Sequence, residues 1–196
     1  MLETRPISPR KLPKQERSQA TVEILMQATA RILSGDPKAL STNRIAEVAG
    51  VSVGSLYQYF PNKEAIVAEL RGRWEQAFMD RMLALAGRLR GVTLRDAIRE
   101  FVRVLIAIHT ENPRLHNALA AEVPEWERKE LLQMVLAYLE SHRDEVRRQN
   151  LPLAARVALQ TGEALTHDTA LRAPQLLGDP AFTEEVTDLL ARYLAK

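Results

Sequence analysis

Hydroxyls, an amide and an ammonium crowd one stretch of the chain, GVSVGSLYQYFPNK, residues 50–63. Ser52, Ser55, Tyr57 and Tyr59 bring four hydroxyls, Gln58 a carboxamide and Lys63 an ammonium. Hydroxyl and ammonium donors suit phosphate oxygens, and Thr42 just upstream adds another. A glutamine can read adenine through two hydrogen bonds, a serine can bond to several base edges, and Val53 can pack on a thymine methyl. Arg44 can reach guanine or phosphate, and Gly54 leaves room for a phosphate to come close to the backbone. A plainer arrangement uses the same residues: a helical hairpin whose polar groups are merely solvated and whose tyrosines are half-buried at a junction.

Two short helices must hold these groups in place. Thr42 can cap a helix running to Ala49, with Ile45, Ala46 and Ala49 facing inward. Gly50 ends it, and Ser52 is placed to cap a second helix, Val53 to Tyr59. Two short helices joined by a tight glycine-containing turn outline a helix-turn-helix, whose second helix enters the major groove by its N-terminal part. Val51 and Leu56 complete the apolar side that such a unit needs. Free amides at the start of each helix would also attract phosphate.

The run Thr42…Ile45-Ala46…Ala49-Gly50-Val51-Ser52-Val53-Gly54-Ser55-Leu56-Tyr57-Gln58-Tyr59-Phe60…Lys63-Glu64 resembles the DNA-binding signature of the TetR/AcrR family of transcriptional regulators. The resemblance covers about residues 14–66, including a basic stretch and one long helix before the motif. It implies that Ser52 to Tyr59 is a recognition helix with Val53, Ser55, Tyr57 and Gln58 nearest the bases. Thr42, Arg44, Ser52, Tyr59 and Lys63 would then lie on the backbone. Lys63 opens the next helix, where its charge opposes the helix dipole, an arrangement easier to understand with phosphate nearby.

The rest of the chain is helical in pattern, with no sustained strand-like alternation. Pro6, Pro9 and Pro13 point to an extended arm over residues 1–15, followed by a helix from about Arg17 to Leu33 with Ala20, Ile24, Ala28 and Ile32 on one face. A long helix starts near Asn62 and carries Ile66, Leu70, Trp74, Phe78 and Met82 at steps of four. Thr93-Leu94-Arg95-Asp96 resembles a capping box and opens a helix through His109. Asn112-Pro113, Pro124 and Asn150-Leu151-Pro152 mark three further starts, and the last helix spans about Phe182 to Ala195.

Composition narrows the class. With 46% hydrophobic and 27% charged residues in 196, the chain reads as a globular protein, and with no cysteine it offers no disulfide, thiolate metal site or cysteine nucleophile. No apolar run approaches the roughly 18 residues of a membrane span, and the N-terminus lacks a signal-peptide core, so a cytoplasmic protein without membrane contact is expected. Up to residue 64, nine Lys/Arg face six Asp/Glu; beyond it, eighteen face nineteen. The surplus of Arg5, Arg10, Lys11, Lys14 and Arg17 suits nucleic acid, and taken alone suits a solvated tail equally well.

Aromatic and methionine side chains after residue 70 could converge on one cavity: Trp74, Phe78 and Met82, then Phe101, Leu105 and His109, then Trp126, Met134 and Tyr138. Such stripes also serve as plain core, and it is the family resemblance that implies a small-molecule effector bound among them. His109 can cap helix-end carbonyls, while Glu163 and His167 alone do not make a metal site, so no metal and no cofactor are expected. Ala154, Ala155, Ala158, Thr161, Gly162, Ala164, Thr166 and Ala170 could let another helix approach closely. Together with Val186, Leu189, Leu190, Tyr193 and Leu194, they could form an interface; the resemblance implies a homodimer through the last two helices.

The expectation is therefore an all-α chain of about nine helices. A basic arm (1–15) and an N-terminal three-helix helix-turn-helix domain (16–61) precede a C-terminal helical ligand-binding and dimerisation domain (62–196). The function expected is a non-enzymatic regulator, in the first instance a repressor, that binds a pseudo-palindromic double-stranded operator and is released by a small molecule. One alternative is a regulator without an effector, or an activator. The other, of a different class, is a helical enzyme or carrier with a vestigial helix-turn-helix.

Overall fold

The computed structural model describes residues 16–89, 91–122 and 129–196. The basic arm, Pro124 and Trp126 lie outside the described residues. Among them nine α-helices are formed and no strand, apart from one isolated antiparallel bridge between Val146 and Ala195. The chain divides into two compact units, the first holding residues up to Gln76 together with 114–124, the second holding the remainder.

In the first unit, helix α1 (Glu16–Gly35) leads through a short 3-10 turn (Pro37–Ala39) to α2 (Thr42–Ala49) and α3 (Val53–Tyr59). The first half of α4 (Lys63–Arg88) and most of α6 (Pro113–Glu122) complete it. Leu25, Leu33, Ile45, Leu56, Phe60 and Ile66 form the centre of its core. The inward face of α1 is not the one expected from spacing. Ala28 and Ile32 are buried, but Ala20 is exposed and Ile24 is 43% exposed, while Val22, Leu25, Met26 and Leu33 turn inward. Steps of four drift around a 3.6-residue turn, so a stripe that begins exposed at Ala20 reaches the buried face only about two turns later, at Ala28.

Helix starts and stops follow side-chain chemistry. Ser41, and not Thr42, caps α2, its hydroxyl accepting from the Arg44 amide at 3.2 Å. Gly50 adopts φ 67° and donates its amide to the carbonyls of Ala46 and Glu47, the left-handed termination that glycine allows without strain. Ser52 caps α3 by accepting from the Ser55 amide at 3.0 Å. Asn62 accepts from the Ala65 amide at 2.8 Å at the start of α4.

The second unit packs the far half of α4 with α5 (Leu94–Glu111), α7 (Lys129–Ser141), α8 (Leu151–Arg172) and α9 (Pro180–Leu194), with a 3-10 turn over Pro174–Gly178. Thr93 caps α5 and donates to Asp96 at 2.7 Å, so the capping box closes with an aspartate. Asn150 caps α8 and Asp179 caps α9. The small residues of α8 turn into this core: Ala154, Ala155, Ala158, Gly162, Thr166 and Ala170 are buried within the chain. A Cβ on Gly162 would meet Leu105 at 3.3 Å and Phe101 at 3.5 Å, so α5 approaches α8 most closely there. Of the eight small residues expected to open α8 to a second chain, Thr161 is half-buried and Ala164 exposed, while the six buried ones pack within the chain. They allow close approach of a helix of the same chain, and large apolar residues remain outside: Leu153 (54% exposed), Leu171 (51%) and, on α9, Leu189 (50%).

Candidate nucleic-acid interface and ligand cavity

The α2–α3 unit is apolar beneath and polar above. Ile45, Ala46, Leu56 and Phe60 are buried, with Val51 and Val53 partly buried against the same cluster. On the other side Arg44, Ser52, Gly54, Tyr57 and Gln58 are exposed and Thr42, Ser55 and Lys63 half-buried, while Val53 and Tyr59 are half-buried with part of their surface against the core cluster. The ten residues that the sequence singles out for nucleic acid therefore belong to one short segment, with none of them fully buried.

Several of these groups engage one another. The hydroxyls of Thr42 and Tyr57 lie 3.3 Å apart and tie the first turn of α2 to α3. Ser52 and Ser55 hydroxyls are 2.8 Å apart. Arg44 pairs with Glu47 at 2.8 Å, both side chains largely exposed, so the pair gives way at little cost to a stronger anion. Lys63 donates to the Leu40 carbonyl at 3.4 Å, so its ammonium is held beside the start of α2. A Cβ on Gly54 would meet only Ser52 Oγ, at 3.7 Å, an ordinary contact. Nothing inside the chain demands glycine there. Sequence reasoning missed Ser41 as the cap of α2, a capping residue type next to the Thr42 chosen, and placed the start of α4 at Asn62 without giving it a capping role.

In the second unit an apolar cavity of about 110 Å³ opens between α4, α5, α7, α8 and α9. Met82, Phe101, Met134 and Tyr138 line it, with Leu131 and Leu190 among the others. Phe78 and Leu105 are buried in the same unit but outside the cavity wall. His109 is also buried there, its Nδ1 2.8 Å from the Leu105 carbonyl and its ring edge-on to His167. Trp74 belongs to the first unit, where it meets His116 with ring centroids 4.9 Å apart.

Tyr138 is the one residue of the wall with a hydroxyl. That hydroxyl is buried and has no hydrogen-bond partner. Its ring stacks on His142 at 4.2 Å, and His142 Nδ1 lies 3.0 Å from the Tyr138 carbonyl, so the phenol is fixed in position. Burial pushes the Tyr138 phenol above its ordinary value, and the Glu145 carboxylate adds to the shift. The group is a protonated donor throughout the physiological range.

Two stretches of the chain match known families. Residues 24–70 match the family described as bacterial regulatory proteins, tetR family, and residues 93–194 match the tetracyclin repressor-like C-terminal domain. A curated relative, the nucleoid occlusion factor SlmA of Haemophilus ducreyi, is 26% identical over 166 residues, covering 82% of this chain and 77% of that protein. Among solved structures, NalD of Pseudomonas aeruginosa, the secondary repressor of the MexAB-OprM multidrug efflux pump, superposes with a TM-score of 0.69 at 20% identity, covering 92% of this chain and 98% of the other. The SmeT–triclosan complex superposes with a TM-score of 0.66 at 18% identity, covering 91% and 93%. At such identities these structures speak to the fold alone. Among the described residues, no helix is long and apolar enough to cross a membrane.

Proposed function

Because the chain belongs to the TetR family of DNA-binding transcriptional regulators, we propose that it is a ligand-responsive repressor acting on an operator in the cytoplasm. The observation that carries this reading is the polar face of α3 and the start of α2, raised on an apolar base. Gln58, Ser55, Tyr57 and Val53 face bases, while Thr42, Arg44, Ser52, Tyr59 and Lys63 hold phosphates. The bare backbone at Gly54 is the point of closest approach. Two copies, joined through the outward apolar faces of α8 and α9 at Leu153, Leu171 and Leu189, present two such faces to a pseudo-palindromic site.

The effector binds in the cavity of the second unit, as the description of the related SmeT structure as a triclosan complex encourages. Its action is a population shift: it lowers operator affinity only in so far as it binds the DNA-free state more tightly. Helix α4 is continuous from Lys63 beside the DNA face to Met82 and Leu85 in the cavity wall, and transmits that preference.

Fluorescence anisotropy with the DNA flanking the protein's own gene tests the reading. Binding that prefers this DNA over random sequence and falls steeply with salt supports it. Equal affinity for both at nanomolar protein overturns it.

A further inference from the structure

The cavity wall narrows the chemistry of its occupant. Among the described side chains that line it, only Tyr138 carries a hydrogen-bonding oxygen or nitrogen, and none carries a charge. A charged ligand entering such a wall would lose its hydration with nothing to replace it. A ligand without any polar atom would leave the Tyr138 hydroxyl as unsatisfied as it is in the structure. The volume, about 110 Å³, is of the order of a cavity that takes benzene. Met82 and Met134 in the wall are unbranched and can yield to a substituent.

Resting on the reading of this cavity as the effector site, we propose that it takes a compact, uncharged ring compound with a single hydrogen-bond acceptor oxygen, which receives the Tyr138 hydroxyl. The phenol is suited to this task because its ring is held by His142 and it remains protonated at neutral pH. Recognition then has two parts: apolar burial supplies most of the affinity, and the single hydroxyl selects oxygen-bearing rings over bare hydrocarbons.

Three probes of nearly one shape separate these features: p-cresol, toluene and 4-methylbenzoate. Calorimetric titration of the full chain at neutral pH, without DNA, is expected to rank p-cresol about three- to tenfold tighter than toluene, the worth of one neutral hydrogen bond. 4-Methylbenzoate is expected not to bind. Tyr138→Phe removes only a hydroxyl that has no partner, so it should fold as the parent does and bind p-cresol and toluene equally. Methyl resonances of Met82 and Met134 should move with p-cresol, which places the probe in this cavity. Equal affinity for p-cresol and toluene in the parent, an undiminished gap in Tyr138→Phe, or preference for the carboxylate overturns the proposal. So does p-cresol that leaves both methyl resonances unmoved. Operator binding is measured separately and without probe, so failure here leaves the DNA-binding reading standing, and its failure leaves this result interpretable.

Discussion

The Thr42 and Tyr57 hydroxyls, 3.3 Å apart, connect the two helices of the DNA-binding unit by a bond that neither helix makes internally. Tyr57 is 43% exposed, so its ring adds little to the core and its hydroxyl can also reach a phosphate. Tyr57→Phe is expected to leave the urea midpoint within about 0.5 kcal/mol of the parent, as for an exposed position. Operator affinity should fall by about 0.5–1.5 kcal/mol. Anisotropy titration beside urea denaturation checks both; loss of stability without loss of affinity would make the bond purely structural.

Gln58 and Lys63 should fail in different ways. On the proposed reading, Gln58→Ala should remove a two-point contact to one base and relax preference at one position of each half-site by about 1–3 kcal/mol. On the same reading, Lys63→Ala should remove a phosphate contact, weaken all sequences alike and lower the salt slope by about 1. Because Lys63 also holds the Leu40 carbonyl, a small loss of stability accompanies it. Titrations against single-base operator variants at several salt concentrations distinguish the two patterns, and a reversal would exchange the roles.

Two glycines four residues apart make a sharper pair. Gly50→Ala forces a side chain into φ 67° and should cost about 1–2 kcal/mol of stability. Gly54→Ala meets no obstacle in the chain and gains helix propensity, so stability should hold or rise by up to about 1 kcal/mol. Its operator affinity should nevertheless fall if, as proposed, the DNA backbone comes closest at this position. Unchanged affinity in Gly54→Ala would move the closest approach elsewhere on α3.

Acid should loosen the second unit through the cluster around Arg99. A hydrogen bond from Thr93 and the Arg99 guanidinium hold Asp96 below its ordinary value, and Arg99 does the same for Glu184. Carboxylates depressed in the folded state bind protons less readily than in the unfolded chain. Their contribution is present above about pH 4 and fades as pH falls through the lower folded values. Arg99→Gln should therefore lose less of its urea midpoint than the parent between about pH 5 and about pH 3. A steeper loss in the variant would contradict the cluster's role.

What could be read from the sequence depended on how local its cause was. The bounds of α2 and α3 were legible because Gly50 and Ser52 act on their own neighbours. The inward face of α1 was not, since Ile24 repeats as regularly as Leu25 and only the partner helices decide between them. The small residues of α8 signalled close helix packing correctly but not with which helix. That is decided by Leu105 and Phe101, which fit against Gly162 from α5. The cavity gathers Met82, Phe101, Met134 and Tyr138 from three helices and leaves Phe78, Leu105 and His109 out, a sorting that rests on rotations of helices that periodicity alone does not fix.

The cavity also bears on how such a chain responds to selection. At about 24 cal/mol per Å³, the 110 Å³ left unfilled among Ala97, Ala158 and their neighbours corresponds to about 2–3 kcal/mol of packing that larger side chains could recover. On the reading of this cavity as the effector site, a lineage pressed only toward heat resistance would gain stability by closing it and lose its response. On that reading, sensitivity would be a void kept open at the expense of robustness.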